Sequence, residues 1–297
     1  MQMENVIECV NLTHSYGDKL IYKDLNFSVQ KGKIFGILGK NGTGKTTTIN
    51  ILMGFLRPTG GKCYVLGEES HNLTPQNRAK IGLLFEGHVC YEFMTVAQIE
   101  RFYSRFFSNW RRDLYFGLID RLGVTYDHKI SNMSCGQRSQ VVLGLIMAQD
   151  PELMILDDYS MGLDAGYRML FIDYLIDYVR ENNKTVFMTS HIIQDLEQII
   201  DDAIILGRQK ILLQMPIKEF LGSFHQYHFK VDGRLPDLDF DDTVANWENL
   251  KNQYTVYSFK SEKDVKIYLT GKGVSIQDFH ETTMNLEHAF IGLTGKY

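Results

Sequence analysis

Short apolar runs alternate with polar positions over the first thirty residues of the chain. Between Val6 and Val29 they are interrupted by Tyr16-Gly17-Asp18, a turn sequence, so the pattern predicts antiparallel strands joined by tight connections. Lys33 to Leu38 is a compact apolar strand that enters a glycine-rich stretch. From Thr46 to Leu56 the apolar positions Ile49, Leu52 and Met53 fall at helical spacing. Thr95 to Leu122 is helical in period and a second helix is expected after Ser134. Together these predict a helical subdomain, about 92–150, inserted into an α/β body. Leu153 to Leu156 and Thr185 to Thr189 read as short buried strands, each entering a polar loop. That is the arrangement of parallel sheets that bind ligands at strand carboxyl ends. Beyond about Leu221 the texture changes. Two β-rich stretches, His225 to Val231 and Tyr254 to Phe259, flank an acidic loop. A helix is expected near Glu262 to Gly271, and a mixed stretch ends in Leu286 to Leu293. The expected organisation is a main domain over 1–221 and a small α+β domain over 222–297.

Composition narrows the function classes. A length of 297 residues suffices for one large core and a small second one. No apolar run reaches the ~18 residues needed to cross a bilayer. Val141 to Leu156, the best candidate, is broken by Gln149, Asp150 and Glu152, so a membrane role requires a partner. A formal charge of -5 gives no global basic surface, and nucleic acid is not expected as a partner. Met1-Gln2-Met3-Glu4-Asn5 lacks the positive region and apolar stretch of a signal peptide, which predicts a cytosolic chain. Cys9, Cys63, Cys90 and Cys135 show no paired metal-ligand spacing and are expected as free thiols.

The candidate chemistry begins at Gly39-Lys40-Asn41-Gly42-Thr43-Gly44-Lys45-Thr46, which matches the phosphate-loop pattern between a predicted strand and helix. The glycines let backbone N–H groups curl inward toward phosphate oxygens, Lys45 brings positive charge to the outer phosphates, and the helix amino terminus adds its dipole. Asn41, Gly42, Thr43, Gly44, Lys45, Thr46 and Thr47 are therefore the expected nucleotide contacts, with the Thr46 hydroxyl toward Mg²⁺. Leu153-Met154-Ile155-Leu156-Asp157-Asp158 supplies a second anchor. Asp157 is placed to hold the metal, and Asp158 to face a water attacking the terminal phosphate.

Met133-Ser134-Cys135-Gly136-Gln137 follows the pattern Leu-Ser-Gly-Gly-Gln, about twenty residues before the acidic strand. Read in order, these segments resemble the nucleotide-binding domain of the ABC ATPase family over roughly residues 4 to 220. The resemblance implies an α/β fold: a P-loop NTPase ABC-type core with an antiparallel β-subdomain and an inserted helical subdomain, to which the pattern beyond Leu221 adds a small C-terminal α+β appendage. It implies ATP and Mg²⁺ as cofactors, Tyr16 stacked on adenine, Glu86 at the Q-loop position beside the metal, and Met161-Gly162-Leu163-Asp164 as the D-loop. His191 is similar to the family's switch histidine. Ser134, Gly136 and Gln137 are implied to cover ATP held by a second ATP-binding subunit, identical or divergent. The other implied partner is an integral-membrane permease, which would hold the chain at the cytoplasmic face of the membrane. Read singly, Ser134 is equally a helix cap, His191 a helix start and Tyr16 ordinary strand packing.

Departures from the family pattern carry expectations of their own. Asp158 stands where the family has glutamate; its carboxylate falls roughly 1.5 Å short, which predicts slow hydrolysis. Glu86 replaces a glutamine, an exchange that resembles subunits devoted to bacteriocin immunity or peptide export. Cys135 replaces a signature glycine, and Tyr159 a proline. The ending Asn285 to Gly295 looks like the tail of ATPases serving ABC-2-type exporters. The implied activity is ATP-driven export of a peptide, antimicrobial or toxin, with a slowly hydrolysing regulatory clamp or immunity component as the alternative. Phe102, Tyr103, Phe106, Phe107 and Trp110 recur at helical spacing and read either as core or as a groove for a permease helix.

Overall fold

The computed structural model describes residues 4–85, 91–160, 162–231, 238, 240–250 and 253–295. The chain divides into two compact units, Met1–Ile211 and Leu212–Tyr297, a division earlier than the 221/222 boundary read from the sequence.

In the first unit, Leu153–Leu156 and Thr185–Met188 are buried at every position, and Ile34–Gly39 at all but its last. Strands covered on both faces pair in parallel. They lie in the order Asp202–Leu206, Ile34–Gly39, Thr185–Met188, Leu153–Leu156, Ile81–Leu84. Gly36, Met188 and Leu156 stand in one row across three strands; Thr189 and Asp157 follow directly on that row, whereas Ile34–Gly39 runs on to Gly39 before its loop begins. The early alternating sequence forms the expected antiparallel pair, Asn5–Tyr16 with Lys19–Gln30, extended by Gly60–Val65 and Glu68–Glu69. Phe27 of this second sheet stacks on Phe35 and Phe187 of the first at centroid distances of 6.2 Å, and Phe35 and Phe187 lie 5.9 Å apart. The three rings bind the two sheets into one core.

The helical insertion differs in detail from the reading above. Instead of one helix over Thr95 to Leu122 there are two, Val96–Tyr103 and Arg112–Arg121. Ser104, Ser108 and Asn109, whose short polar side chains favour turns over helix interiors, lie between them. The aromatic stripe therefore divides. Tyr103 and Trp110 pack against a core of Val96, Ile99, Tyr115, Ile119, Val141 and Leu145. The Trp110 indole also donates to buried Glu100 at 3.0 Å. Phe106 stays exposed and touches Phe102 at a centroid distance of 5.2 Å. Cys9, Cys63 and Cys135 are free thiols.

The second unit holds a four-stranded antiparallel sheet in the order Asn246–Leu250, Gln253–Ser258, His225–Val231, Ile276–Thr282. Tyr227, Phe229, Tyr254 and Val256 pack with Val265 and Leu269 of the helix Glu262–Gly271. The outer strands are rich in Asn, Asp, Glu and His, and pairing with their neighbours overrides weak intrinsic β-propensity.

Phe187→Ala should destabilise the first unit by about 3–5 kcal/mol, because it opens a cavity where the two sheets meet. Urea denaturation checks this, and a loss below about 1 kcal/mol would show that the ring stack does not join the sheets.

Candidate functional site

At the carboxyl end of Ile34–Gly39 the chain curls through Lys40–Gly44 into the helix Lys45–Leu52. Gly42 and Gly44 adopt φ values of 80° and 103°, a region that side chains disfavour. Gly44 is constrained a second time: a Cβ there would meet the Tyr22 ring at 2.6 Å and Ile21 Cγ2 at 2.7 Å. Thr43 folds back so that its N–H and Oγ1 donate to the Lys40 carbonyl at 3.3 and 2.8 Å. The Lys45 ammonium spans the loop, donating to the carbonyls of Gly39 at 2.7 Å and Lys40 at 3.2 Å.

The two neighbouring strands deliver the carboxylates. Asp157 is buried, its N–H bonded to the Leu84 carbonyl at 2.8 Å. Thr189, which follows the adjacent strand Thr185–Met188, donates its hydroxyl to Asp157 Oδ1 at 2.9 Å and accepts the Asp158 N–H at 2.9 Å. Asp158 has a φ of 46°, a left-handed conformation that aspartate tolerates better than most residues. Its Oδ1 accepts from Ser160 Oγ at 3.0 Å and from the His191 N–H at 3.3 Å, and its Oδ2 lies 3.3 Å from His191 Nε2. Ser190 Oγ holds Ser160 Oγ at 3.0 Å. These contacts fix the orientation of the acid.

These elements enclose a cavity of about 460 Å³. Tyr16, Asn41, Gly42, Gly44, Lys45, Thr46, Thr47, Asp157, Asp158 and His191 line it, all of them residues singled out from the sequence. Lys19, Ile21 and Thr189 also line it and were not foreseen. Thr189 was findable, since a parallel strand beside the acidic strand must place its own carboxyl end next to Asp157. Thr43 is buried within the loop and is not among the lining residues. Tyr16 is half exposed, its hydroxyl 3.5 Å from Thr47 Oγ1 and its ring held edge-on by His14 at 4.7 Å. His14 is buried, and burial lowers its pKa. Glu86 and Met161 lie outside the described residues.

The family profile described as ABC transporter matches residues 22–160. The Nod factor export ATP-binding protein I of Bradyrhizobium diazoefficiens is 31% identical over 212 residues, 69% of each chain. The chain belongs to the ABC transporter ATP-binding family. The bacitracin transport ATP-binding protein BcrA of Enterococcus faecalis is 26% identical over 99% of this chain and 98% of its own length. A dimeric ATP-binding cassette solved in a post-hydrolysis state with ADP and Pi shares the fold at a TM-score of 0.61 and 21% identity, over 71% of this chain and 98% of that one.

In this ABC protein the signature segment lies apart from the cavity: Ser134, Gly136, Gln137 and Asp164 are not among the lining residues. Ser134 caps the helix Cys135–Ala148, accepting the Gln137 N–H at 3.2 Å, while Gln137 Oε1 accepts the Ser134 N–H at 3.0 Å. Gly136 lets that helix approach Tyr167, whose ring a Cβ would overlap. Asp164 caps the helix Ala165–Asn182 through the Tyr167 N–H at 3.0 Å. Ser134 itself is exposed. On the cavity wall, the Thr46 hydroxyl and the Asp157 carboxylate form a hard-oxygen donor set. Such a set suits Mg²⁺, which takes one or two protein ligands and fills the rest with phosphate oxygens and water.

Thr189→Val keeps the shape of the side chain and removes both hydrogen bonds. It should cost about 1–3 kcal/mol of stability and lower ATP turnover, measured by thermal unfolding and phosphate release. Unchanged stability would show that Thr189 does not brace the two aspartates.

Proposed function

We propose that this ABC protein hydrolyses ATP as one of two paired ATP-binding subunits that drive an exporter's integral-membrane permease from the cytoplasmic face of the membrane. The observation that carries the reading is the half-built site. Phosphate loop, acidic strand and His191 share one cavity, whereas Ser134 is exposed and neither it nor Gly136 lines that cavity. A second chain presenting its own Ser134 and Gly136 would supply the missing donors to the terminal phosphate. ATP then acts as the bridge between subunits, and hydrolysis releases it. No helix among the described residues is long and apolar enough to cross a membrane. Export is supported by relatives named for bacitracin transport and Nod factor export. The exposed aromatics Phe93 and Phe106 offer the helical insertion a face for a permease helix.

Within the pocket, Lys45 and the loop N–H groups would bind the phosphates, and Tyr16 would stack on adenine. Thr46, Asp157 and Glu86 are the residues that would hold Mg²⁺, which when bound neutralises charge on the phosphate oxygens. Asp158 would accept the proton of the attacking water through its carboxylate, fixed by Ser160 and the His191 N–H. The shorter reach of aspartate slows this step, which supports the second reading of a slowly turning clamp or an immunity component.

With hydrolysis blocked by Asp158→Asn, MgATP should draw the two ATP-binding chains of the assembled transporter together, and Ser134→Arg should prevent it, as read by the distance between spin labels on the two chains. Association that survives Ser134→Arg would sink the paired-site reading. In the same assembly Asp158→Glu should raise kcat by roughly tenfold or more at an unchanged KM. An unchanged kcat would remove reach as the cause of slow turnover.

A further inference from the structure

The second unit holds a cavity to which the ATP-binding function assigns no task. Its volume is about 390 Å³, within the ~300–1,000 Å³ of small-molecule sites. The cavity lies on the sheet face opposite the one that packs on the helix Glu262–Gly271. Across that face the strand register sets a polar row: Glu248 stands opposite Thr255, Thr255 opposite His228, and His228 opposite His280. Thr255 Oγ1 and His228 Nδ1 are hydrogen bonded at 2.9 Å. A polar sheet face ordinarily lies open to water. Here the helix Leu286–Thr294 roofs part of it, contributing His288 and Ile291, and it comes close because Gly292 has no side chain to strike the Tyr257 ring.

The charge of the lining decides what the cavity takes. Among the described residues its lining includes one carboxylate, Glu248, and no lysine or arginine. Oε1 of Glu248 is buried. The negative charge is felt inside the cavity, since burial and then Glu248 push the Tyr257 hydroxyl up to about 12. His228 adds little positive charge near neutrality, because burial and the neighbouring His280 both lower its pKa. The lining also includes the Tyr257 ring, Ile291 and, at the exposed rim, Leu250.

We propose that this cavity is a ligand site for a small organic amine, with the ammonium group against Glu248 and an apolar stem between Tyr257, Leu250 and Ile291. An ammonium gains from the carboxylate at low local dielectric and from the face of the tyrosine ring, whereas a carboxylate in the same place is repelled. The site lies in a different unit from the phosphate loop.

Calorimetric titration of the full chain with n-hexylamine tests this, with n-hexanol and hexanoate as neutral and anionic comparators. The amine should bind saturably at one site, the alcohol more weakly and hexanoate not at all. Glu248→Gln should weaken amine binding by about tenfold or more while leaving hexanol binding and ATP turnover unchanged. Ile291→Trp, which fills the cavity, should abolish binding of amine and alcohol alike; if either variant fails to fold, the other decides. Absence of amine binding, equal binding of the three probes, undiminished affinity in the folded variant, or displacement of the amine by ATP would each overturn the proposal. The last outcome would place the amine in the nucleotide pocket and leave the ATP-binding reading intact.

Discussion

In-register parallel pairing of Ile34–Gly39, Thr185–Met188 and Leu153–Leu156 is the constraint on which the nucleotide pocket depends. Because Met188 and Leu156 share one row, Thr189 with His191 and the two aspartates emerge side by side, next to the strand Ile34–Gly39 that leads into the phosphate loop. A slip of one residue in any of these strands would turn its side chains to the opposite face and part Thr189 from both carboxylates. The Phe27, Phe35 and Phe187 stack holds this register against the antiparallel sheet, which in turn carries Tyr16 to the mouth of the same cavity. Packing deep in the unit and chemistry at its surface are one continuous arrangement.

The signature segment shows how a residue can serve local structure and still be free for a partner. Ser134 closes a capping box with Gln137, and Gly136 makes room for Tyr167, so both have intramolecular reasons to be what they are. A capped helix end is also rigid, and it leaves an exposed hydroxyl beside oriented backbone N–H groups. The bland and the functional readings of Ser134 are therefore compatible. Asp158 illustrates the reverse situation, in which a short side chain is tied by Ser160 and His191 into a fixed orientation. That fixation favours order over reach.

Much of this architecture was legible in the sequence where one pattern dominated. The alternation over Val6 to Val29, the glycine spacing of the phosphate loop and the apolar run before Asp157 each admit a single geometry. The break between Val96–Tyr103 and Arg112–Arg121 was hidden because Phe106, Phe107 and Trp110 continue a helical period through residues that do not form a helix. The outer strands Asn246–Leu250 and Ile276–Thr282 were hidden because their own composition argues against strands and only pairing creates them. Thr189 was missed since its role lies in two hydrogen bonds to residues more than thirty positions earlier, which no local pattern records.

The central claim is that a working site draws its phosphate loop from one chain and its signature serine from another. Mixing tests it most directly: a Lys45→Ala chain and a Ser134→Arg chain, each inactive alone, are combined in one transporter and phosphate release is measured. Composite sites predict recovery, because one of the two sites in the mixed pair then carries neither defect. If every site were built within a single chain, each would keep its own lesion and the mixture would stay inactive, which would contradict the account.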